Sequence, residues 1–325
     1  MTRPDMAGSW THGRLGYVLA GEEHAPRELV QWGLQAEAAG FGFCFLSDHF
    51  HPWNFHQGHS SYLWSVLGAL ASQTQSMMLV SAVVCPILRI HPTTLAQAAS
   101  TVYHLSDGRF LLGLGTGESL NERVVGEGFP PFQERLDRLG ESILIVRELL
   151  KGEPVSLTGQ YFQAEQAQLF DPAPELKIFL AASGERAAEF AAQKGDGLIC
   201  LGARPELSQN FDSSKPRLTQ LSVCWAASRE EAARTAHRFF PEVAMPGTLF
   251  TRLSTPAEFS QAAKSVSVDD VAASIVCGPE PEPYLEAVHE CLEAGFDGVA
   301  LHQIGPDQGG FLDFWKRELK GRLSS

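Results

Sequence analysis

Short apolar segments alternate with helical patterns along the whole chain. At residues 26–39 and 134–150, apolar positions recur every three or four residues, the period of an α-helix with one buried face. The short segments lack the polar alternation of a half-exposed sheet, so they predict parallel strands covered on both faces. Five of these predicted strands lie at residues 15–20, 77–84, 109–115, 177–182 and 218–226.

Three further segments repeat one pattern of helix end, glycine, short turn and buried strand. They are residues 36–49, 191–204 and 292–304. The glycine in each can take the left-handed conformation that closes many helices. The apolar run after it predicts a buried strand. The repeat indicates an αβ joint that the fold uses several times, and it brings the number of predicted strands to eight.

Eight apolar strands separated by helices favour a (β/α)8 TIM barrel. A doubly wound sheet is the alternative, but no Gly-x-Gly-x-x-Gly follows the first strand to support dinucleotide binding. Two intervals do not fit a bare barrel. Residues 152–175 predict a hairpin-like excursion, and residues 240–268 predict an irregular insertion with one short helix. No linker-like tract divides the chain, so we predict a single domain over residues 1–325.

Composition and charge limit the classes of function. With 25 Lys and Arg against 38 Asp and Glu, the formal net charge is −13, and such a surface repels nucleic acid. The sequence contains no apolar run of bilayer-spanning length and no apolar signal segment, so we expect a cytoplasmic protein without a membrane contact. The six cysteines form no Cys-x-x-Cys pair, and four lie in apolar runs, which predicts free thiols in a reducing compartment.

Polar side chains follow several predicted strands at the point where the strand ends. Asp48, His49 and Trp53 follow the second strand. Glu22 follows the first strand, and Glu118 follows the fourth. In a barrel, the loops after the strands share one face, and catalytic residues collect there. These side chains are therefore expected to meet at one mouth of the barrel.

Three interpretations of the segment SDHFHPW, residues 47–53, are open. A metal site would use the pair His49 and His51, but the fifth and sixth strands end without an imidazole or carboxylate to complete the ligands. A solvated, histidine-rich loop with Trp53 as a lid would have no chemistry. We favour an acid–base site without a metal, because Asp48 follows a buried strand and can accept a ring proton from His49.

The segment GLGTGE, residues 113–118, brings small residues to the end of the fourth strand. It lacks the Gly-Lys-Ser/Thr ending of a triphosphate-binding loop. Its glycines would let a flat ring approach the backbone, directly before the carboxylate of Glu118. The alternative is a tight turn without a ligand. Ser183 and Gly184 open a predicted helix and offer backbone N–H groups that suit a phosphate.

These motifs resemble the luciferase-like family of flavin and deazaflavin oxidoreductases, most closely its branch of F420-dependent glucose-6-phosphate dehydrogenases. The resemblance covers nearly the whole chain, and SDHFHPW (47–53) with GTGESLNE (115–122) is its most specific part. It implies a (β/α)8 barrel, often a homodimer, with coenzyme F420 at the C-terminal mouth. The alternatives are FMN in the same mouth, in a flavin-dependent oxidoreductase or monooxygenase, and a barrel that has lost catalysis and only binds a ligand.

The resemblance also implies roles for individual residues. His49 and Glu118 would form the acid–base pair, and Trp53 and Glu22 would line the substrate side. Ala82 and Val83 would be joined by a cis peptide bond behind the ring, and Cys85 replaces a cofactor-side threonine of the family pattern. The residues expected to contact the cofactor are Asp48, Ala82, Val83, Cys85, Thr116, Gly117, Asn121, Ser183, Gly184, Arg186 and Ala187, of which the last four would hold its phosphate region.

Members of this branch that use sugar phosphates hold the phosphate with three cations. At the matching positions the chain has Arg204, Gln261 and Ser274, so two of the three charges are missing. Each charge-assisted hydrogen bond contributes about 1.5 to 3 kcal/mol. We therefore expect hydride transfer between F420 and a small alcohol or hemiacetal other than glucose 6-phosphate, with Arg204 on the substrate.

Overall fold

The computed structural model describes residues 13–209, 211–245 and 247–323. The strands are β1 (Leu15–Leu19), β2 (Phe43–Leu46), β3 (Met78–Ser81), β4 (Phe110–Leu114), β5 (Val155–Thr158), β6 (Gln163–Ala167), β7 (Ile178–Ala181), β8 (Gly197–Leu201), β9 (Arg217–Cys224), β10 (Val276–Cys277) and β11 (Gly298–Gln303).

Helices lie between most of these strands. They are α1 (Pro26–Ala39), α2 (Leu63–Gln73), α3 (Pro92–Leu105), α4 (Ser119–Glu122), α5 (Phe132–Leu150), α6 (Glu185–Lys194), α7 (Pro205–Ser208), α8 (Arg229–Phe239), α9 (Gly247–Phe250), α10 (Pro256–Ala262), α11 (Val268–Ser274), α12 (Pro281–Glu293), α13 (Gln308–Phe314) and α14 (Lys320–Leu323).

Eight of the strands close into a barrel. Around the ring the order is β9, β11, β1, β2, β3, β4, β7 and β8, and β8 pairs with β9 to complete it. Every pairing in the ring is parallel. The predicted (β/α)8 barrel is confirmed, and its eight strands are those that the apolar segments predicted.

The apolar strands are buried on both faces because the barrel has two cores. Phe43 and Phe45 of β2 lie inside the barrel, in a cluster with residues such as Val80 and Phe179. Cys44 and Leu46 alternate with them and belong to the outer core between strands and helices. This alternation between two apolar environments explains why the strand carries no polar position.

Two of the three predicted αβ joints use a left-handed glycine. Gly40 after α1 has φ 93°, and Gly295 after α12 has φ 94°. Gly195 after α6 is different, because its φ is −92°. A Cβ atom there would lie 2.9 Å from the carbonyl oxygen of Ala191 and 3.0 Å from that of Gly197. At this joint the glycine permits close packing and not a left-handed turn.

The two intervals that were predicted not to fit a bare barrel contain elements outside the ring of eight strands. β5 and β6 pair antiparallel, which confirms the hairpin predicted within residues 152–175. The prediction of one short helix at residues 240–268 is wrong, because this interval contains both α9 and α10. β10, which was not predicted, pairs with Val223 and Cys224 at the end of β9.

The cysteines are free thiols, and all except Cys85 are buried, as their apolar neighbours predicted. Within the described ranges, no helix combines the length and the apolar character that crossing a bilayer requires.

Candidate active site

The ends of β1, β2 and β4 bring Glu22, His49 and Glu118 together at one mouth of the barrel. The Nε2 atom of His49 lies 3.7 Å from Oε1 of Glu22 and 4.0 Å from Oε2 of Glu118. β1 and β2 are in parallel register, with Leu19 beside Leu46, so their following loops leave the barrel at the same level. The imidazole thus lies between two carboxyl groups that come from opposite sides of its strand.

The two carboxyl groups have pKa shifts of opposite direction. Burial raises the pKa of Glu118 above its ordinary value, and the nearby charge of Glu22 adds to the effect. Burial also acts to raise the pKa of Glu22, but His49 and a hydrogen bond from the Ser47 hydroxyl outweigh it and hold this pKa below its ordinary value. Titratable groups separated in this way are suited to divide the tasks of acid and base.

The ring of His49 is held on its other side by the loop after β2 and by α4. Nδ1 lies 3.2 Å from the carbonyl oxygen of His51 and 3.2 Å from Nδ2 of Asn121. The ring of Trp53 lies against the imidazole, with 5.0 Å between centroids. These contacts leave Nε2 directed at the carboxyl groups.

Asp48 has a different partner from the one that the sequence suggested. Nη2 of Arg89 donates to Oδ2 of Asp48 at 2.5 Å and approaches its carbonyl oxygen at 3.3 Å. Among the described residues, no hydrogen bond or ion pair joins the Asp48 carboxylate to the His49 ring. The expectation that Asp48 orients the imidazole is therefore wrong, because the charge-assisted bond to the guanidinium engages its carboxylate.

Arg89 and Glu122 were both missed as site residues by the sequence analysis. Nε of Arg89 lies 3.5 Å from Oε1 of Glu122, so one guanidinium joins the ends of β2, β3 and β4. Glu122 is almost fully buried, and burial raises its pKa to about 7 although Arg89 opposes the shift. The signal that was overlooked is a single charge in the apolar run ILRIHP after β3.

The glycine-rich segment after β4 is shaped by a buried arginine. Nη1 of Arg135 donates to the carbonyl oxygens of Thr116 at 3.0 Å and Gly117 at 2.9 Å. Gly117 has φ 77°, a left-handed conformation that favours glycine, and a Cβ atom there would lie 2.8 Å from Ile87. The backbone at the end of β4 is thus held in place and carries little side-chain bulk.

The ends of β3 and β4 pack closely beside this segment. The peptide bond between Ala82 and Val83 is cis, as the family resemblance implied. A Cβ atom at Gly115 would lie 2.7 Å from a methyl group of Val83 and 3.4 Å from the sulfur of Cys85. Cys85 is half-buried, and the loss of water around its thiol, with nearby carboxylates, raises its pKa well above its ordinary value, so the thiol is neutral.

The residues expected to hold a phosphate lie at the start of α6. Gly184 is its N-cap, and Ala187 in its first turn is buried. Arg186 donates to Gln133 and lies over the ring of Phe132.

Arg204, expected on the substrate, approaches this same region. Its Nη2 lies 3.3 Å from the carbonyl oxygen of Ser183, and its Nε donates to Glu206. At the other two positions considered for substrate phosphate, Gln261 accepts from Lys264 at 2.8 Å and Ser274 donates to the carbonyl oxygen of Asp270 at 2.8 Å.

The insertion at residues 240–268 covers Trp53. The rings of Phe250 and Phe259 lie edge-on to the indole, at centroid distances of 5.0 and 5.1 Å. A buried polar contact also joins the insertion to the loop after β2, because Nδ2 of Asn54 donates to both carboxyl oxygens of Glu242 at 3.0 and 3.1 Å. The indole beside His49 is thus held by apolar rings.

The arrangement of these side chains is suited to proton transfer. Within the described ranges, no three His, Cys, Asp or Glu side chains are grouped so that they could hold a metal ion. An imidazole within 4.0 Å of two carboxyl groups, whose pKa values are shifted in opposite directions, is suited to both donation and acceptance of protons. A barrel with these groups at the carboxyl ends of its strands belongs to the class of (β/α)8 enzymes.

Comparison with known proteins identifies the family. The model of the luciferase-like monooxygenase family matches residues 6–298, and the chain belongs to this family. A relative from Mycolicibacterium smegmatis, an F420-dependent glucose-6-phosphate dehydrogenase, is 31% identical over 95% of this chain and 98% of its own length. A second protein of that name, from Nakamurella multipartita, is 32% identical over 95% of this chain and 96% of its own length. The family resemblance of the motifs is confirmed.

Solved structures give the same barrel. An F420-dependent secondary alcohol dehydrogenase in complex with an F420–acetone adduct superposes with a TM-score of 0.87 at 24% identity, over 97% of this chain and 99% of that one. The F420-dependent tetrahydromethanopterin reductase from Methanopyrus kandleri superposes with a TM-score of 0.76 at 18% identity, over 95% and 99%. At these identities the likeness concerns the fold alone.

Proposed function

We propose that this protein is an F420-dependent oxidoreductase that transfers a hydride between the deazaflavin and the carbon of an alcohol or hemiacetal. The observation that carries the proposal is the position of His49 between Glu22 and Glu118, whose pKa values are shifted in opposite directions. Relatives named F420-dependent glucose-6-phosphate dehydrogenases, about 31% identical over most of the chain, support the choice of cofactor.

Two features of the barrel mouth support a flat cofactor ring with a phosphate-bearing tail. Gly115 and Gly117 have no Cβ atoms, and a Cβ at either position would lie 2.7 to 2.8 Å from a neighbouring side chain. A larger residue does not fit at these positions, so no side chain projects from this part of the backbone. Ser183 and Gly184 open α6, whose first N–H groups suit a phosphate. Asn121 follows in α4, and its Nδ2 lies 3.2 Å from Nδ1 of His49. When bound, F420 would supply the hydride acceptor.

The protein's own residues supply the proton transfers that accompany hydride movement. An alcohol that loses a hydride must also lose its hydroxyl proton, and the reduced cofactor ring must gain one. The pKa of Glu118 is raised above its ordinary value, so this carboxyl group keeps its proton to a higher pH than Glu22 does. Glu22, whose pKa is lowered, stays ionised and can accept a proton at this face, whereas Glu118 is the better proton donor.

We infer that the substrate is not glucose 6-phosphate. Of the three positions considered for phosphate binding, only Arg204 is cationic, and it is engaged with Glu206 and Ser183. The apolar rings that hold Trp53 add no charge to the substrate side. The test is a comparison of kcat/KM for glucose 6-phosphate with that for neutral alcohols and unphosphorylated sugars. A clear preference for glucose 6-phosphate would contradict the inference.

An FMN-dependent oxidoreductase or monooxygenase is the second candidate. It is favoured by the family model, which describes luciferase-like monooxygenases, and by Cys85 at a position where the deazaflavin branch has a threonine. Titrating the purified protein with F420 and with FMN, while following tryptophan fluorescence, separates the candidates. Tight binding of F420 with no response to FMN is the expected result. The reverse order of affinity would replace the proposed cofactor.

We further propose a homodimer, in keeping with the family resemblance. α1 and α2 border an apolar groove on the outside of the barrel, lined in part by Val30, Val66 and Ala69. Sedimentation velocity at micromolar concentration should give twice the 35.4 kDa of one chain. A single species of one chain's mass across that concentration range would rule the dimer out.

A further inference from the structure

Asn121 lies buried between the loop after β2 and the carboxyl end of β4. Its Oδ1 accepts from the backbone N–H of Phe50 at 2.9 Å and from that of His51 at 3.2 Å. Both partners are donors, so only the oxygen of the amide can face them. The orientation of the side chain is therefore set by the backbone, and its NH2 group must point the other way.

The NH2 group of Asn121 points at the two groups proposed for proton transfer. Nδ2 lies 3.2 Å from Nδ1 of His49 and 3.5 Å from Oε2 of Glu118. An NH2 group donates and cannot accept, so Nδ1 can bond to it only as an acceptor. In a neutral imidazole with an acceptor at Nδ1, the proton is on Nε2.

One contact of Nδ1 would instead favour a proton on that nitrogen. The carbonyl oxygen of His51 also lies 3.2 Å from Nδ1, and it would accept from an Nδ1–H group. Two influences oppose it. The NH2 group of Asn121 cannot turn away without breaking two backbone hydrogen bonds, and the ionised carboxyl group of Glu22 lies 3.7 Å from Nε2, where it attracts an N–H. The balance favours the proton on Nε2.

We propose that Asn121 is a positioning residue that holds neutral His49 in the Nε2–H tautomer. The imidazole then presents a hydrogen-bond donor to the face where Glu22 and Glu118 lie. A substrate hydroxyl proton lost at this face would pass to a carboxylate oxygen and not to the neutral imidazole. This consequence for catalysis rests on the proposed function, whereas the tautomer itself does not.

The tautomer can be read directly by long-range proton–nitrogen NMR of the protein labelled with 15N-histidine. The His49 signals are assigned by their loss in His49→Gln. At a pH where the ring is neutral, the wild type should show the pattern of a protonated Nε2 and a bare Nδ1. A protonated Nδ1 in the wild type would overturn the proposal without the need for any further variant.

Asn121→Asp tests the cause. The substitution keeps an oxygen toward the two backbone donors and places a second oxygen where the NH2 group was. The His49 pattern should shift toward the Nδ1–H tautomer. Glu118→Gln is the matched control, because it leaves the Asn121 amide in place and should retain the Nε2–H pattern. An unchanged pattern in Asn121→Asp would show that Asn121 does not set the tautomer.

Activity gives a separate readout. If the proposed function holds, Asn121→Asp should lower kcat by about 100-fold or more, as a wrong tautomer does in other proton-transfer sites, with a much smaller change in KM. A fall in kcat/KM of the same size that came only from a higher KM, with kcat unchanged, would contradict a positioning role. Wild-type protein that shows the Nε2–H pattern but no turnover with F420 would refute the proposed function and leave the tautomer assignment standing.

Discussion

At the scale of single residues, the site depends on charges that are partly withdrawn from water. His49, Glu22 and Glu118 meet within 4.0 Å, and Arg89 holds Asp48 and Glu122 directly behind them. Burial raises carboxyl pKa values, whereas a neighbouring cation or hydrogen bond lowers them. Burial prevails at Glu118 and Glu122, whose pKa values are raised, whereas His49 and Ser47 prevail over burial at Glu22, whose pKa is lowered.

Glu118→Gln should lower turnover with F420 by about 10²- to 10⁴-fold, because it removes a proton-transfer group. Cofactor affinity should change little, since the amide has nearly the same shape. Steady-state kinetics and fluorescence titration measure the two quantities. Glu127→Gln, on the exposed side of the same loop, is the control and should retain wild-type activity. Equal losses in turnover and affinity would mean that Glu118 only positions the ring.

Arg89→Ala should destabilise the fold by about 3 kcal/mol or more at pH 8, because it leaves the carboxylates of Asp48 and Glu122 buried without their cation. Urea unfolding measures the change. Arg317→Ala removes an exposed ion pair with Glu318 and should change the free energy of unfolding by about 0.5 kcal/mol or less. If both substitutions changed the free energy of unfolding by the same amount, the ion pairs of Arg89 would not stabilise the fold more than an exposed ion pair does.

At the scale of elements, the insertion at residues 240–268 and the loop after β2 form one cover over the site. Phe250 and Phe259 hold the indole of Trp53, and Asn54 binds the buried carboxyl group of Glu242. Burial raises the pKa of Glu242 from 4.5 to about 7. The native state therefore favours the protonated form of Glu242. This preference stabilises the fold at low pH, and the stabilisation is lost as the pH rises through about 7.

Glu242→Gln should remove this pH dependence, because the amide stays neutral. Between pH 5 and pH 8, the free energy of unfolding of the wild type should fall by about 2 kcal/mol relative to that of the variant. Urea unfolding of both proteins across this range measures the difference. Glu293→Gln, on the exposed face of α12, should parallel the wild type. A constant difference between wild type and Glu242→Gln would exclude a raised pKa at this position.

At the scale of the whole molecule, closure of the ring is what gives the mouth its shape. β8 pairs with β9, so the strand ends that carry Glu22, His49 and Glu118 face Ser183 at the end of β7 around one opening. A ligand that binds there contacts several strands at once. Its binding free energy should therefore stabilise the complete barrel and not a single loop.

F420 at about 100 times its dissociation constant should add about 2.7 kcal/mol to the free energy of unfolding. The thermal unfolding midpoint should rise by a few degrees, and FMN at the same concentration should leave it unchanged. Scanning calorimetry with each compound measures the shifts. A shift with FMN alone would favour the second candidate function, and no shift with either would argue against a cofactor site at this mouth.

The αβ joints show how far local patterns extend. The apolar runs and left-handed glycines at Gly40 and Gly295 are local signals, so the strands they predict are present. The sequence could not reveal that Gly195 permits a close approach instead, because that depends in part on Leu180 of β7, whose Cγ would lie 3.1 Å from a Cβ atom at Gly195. The sequence predicted one short helix in the insertion instead of two, because the apolar contacts of α9 and α10 are with Trp53, about 200 positions away along the chain.

The sequence by itself determined the ring of eight strands, the αβ joints and the motifs that identify the family, because hydrophobic period and turn chemistry act over short distances. Only the tertiary structure decided which charges are paired. Arg89 reaches Asp48 across 41 positions, and Asn121 reaches the His49 ring across 72. Electrostatic and hydrogen-bond partners are fixed by distance in space, and that distance exists only once the barrel has closed.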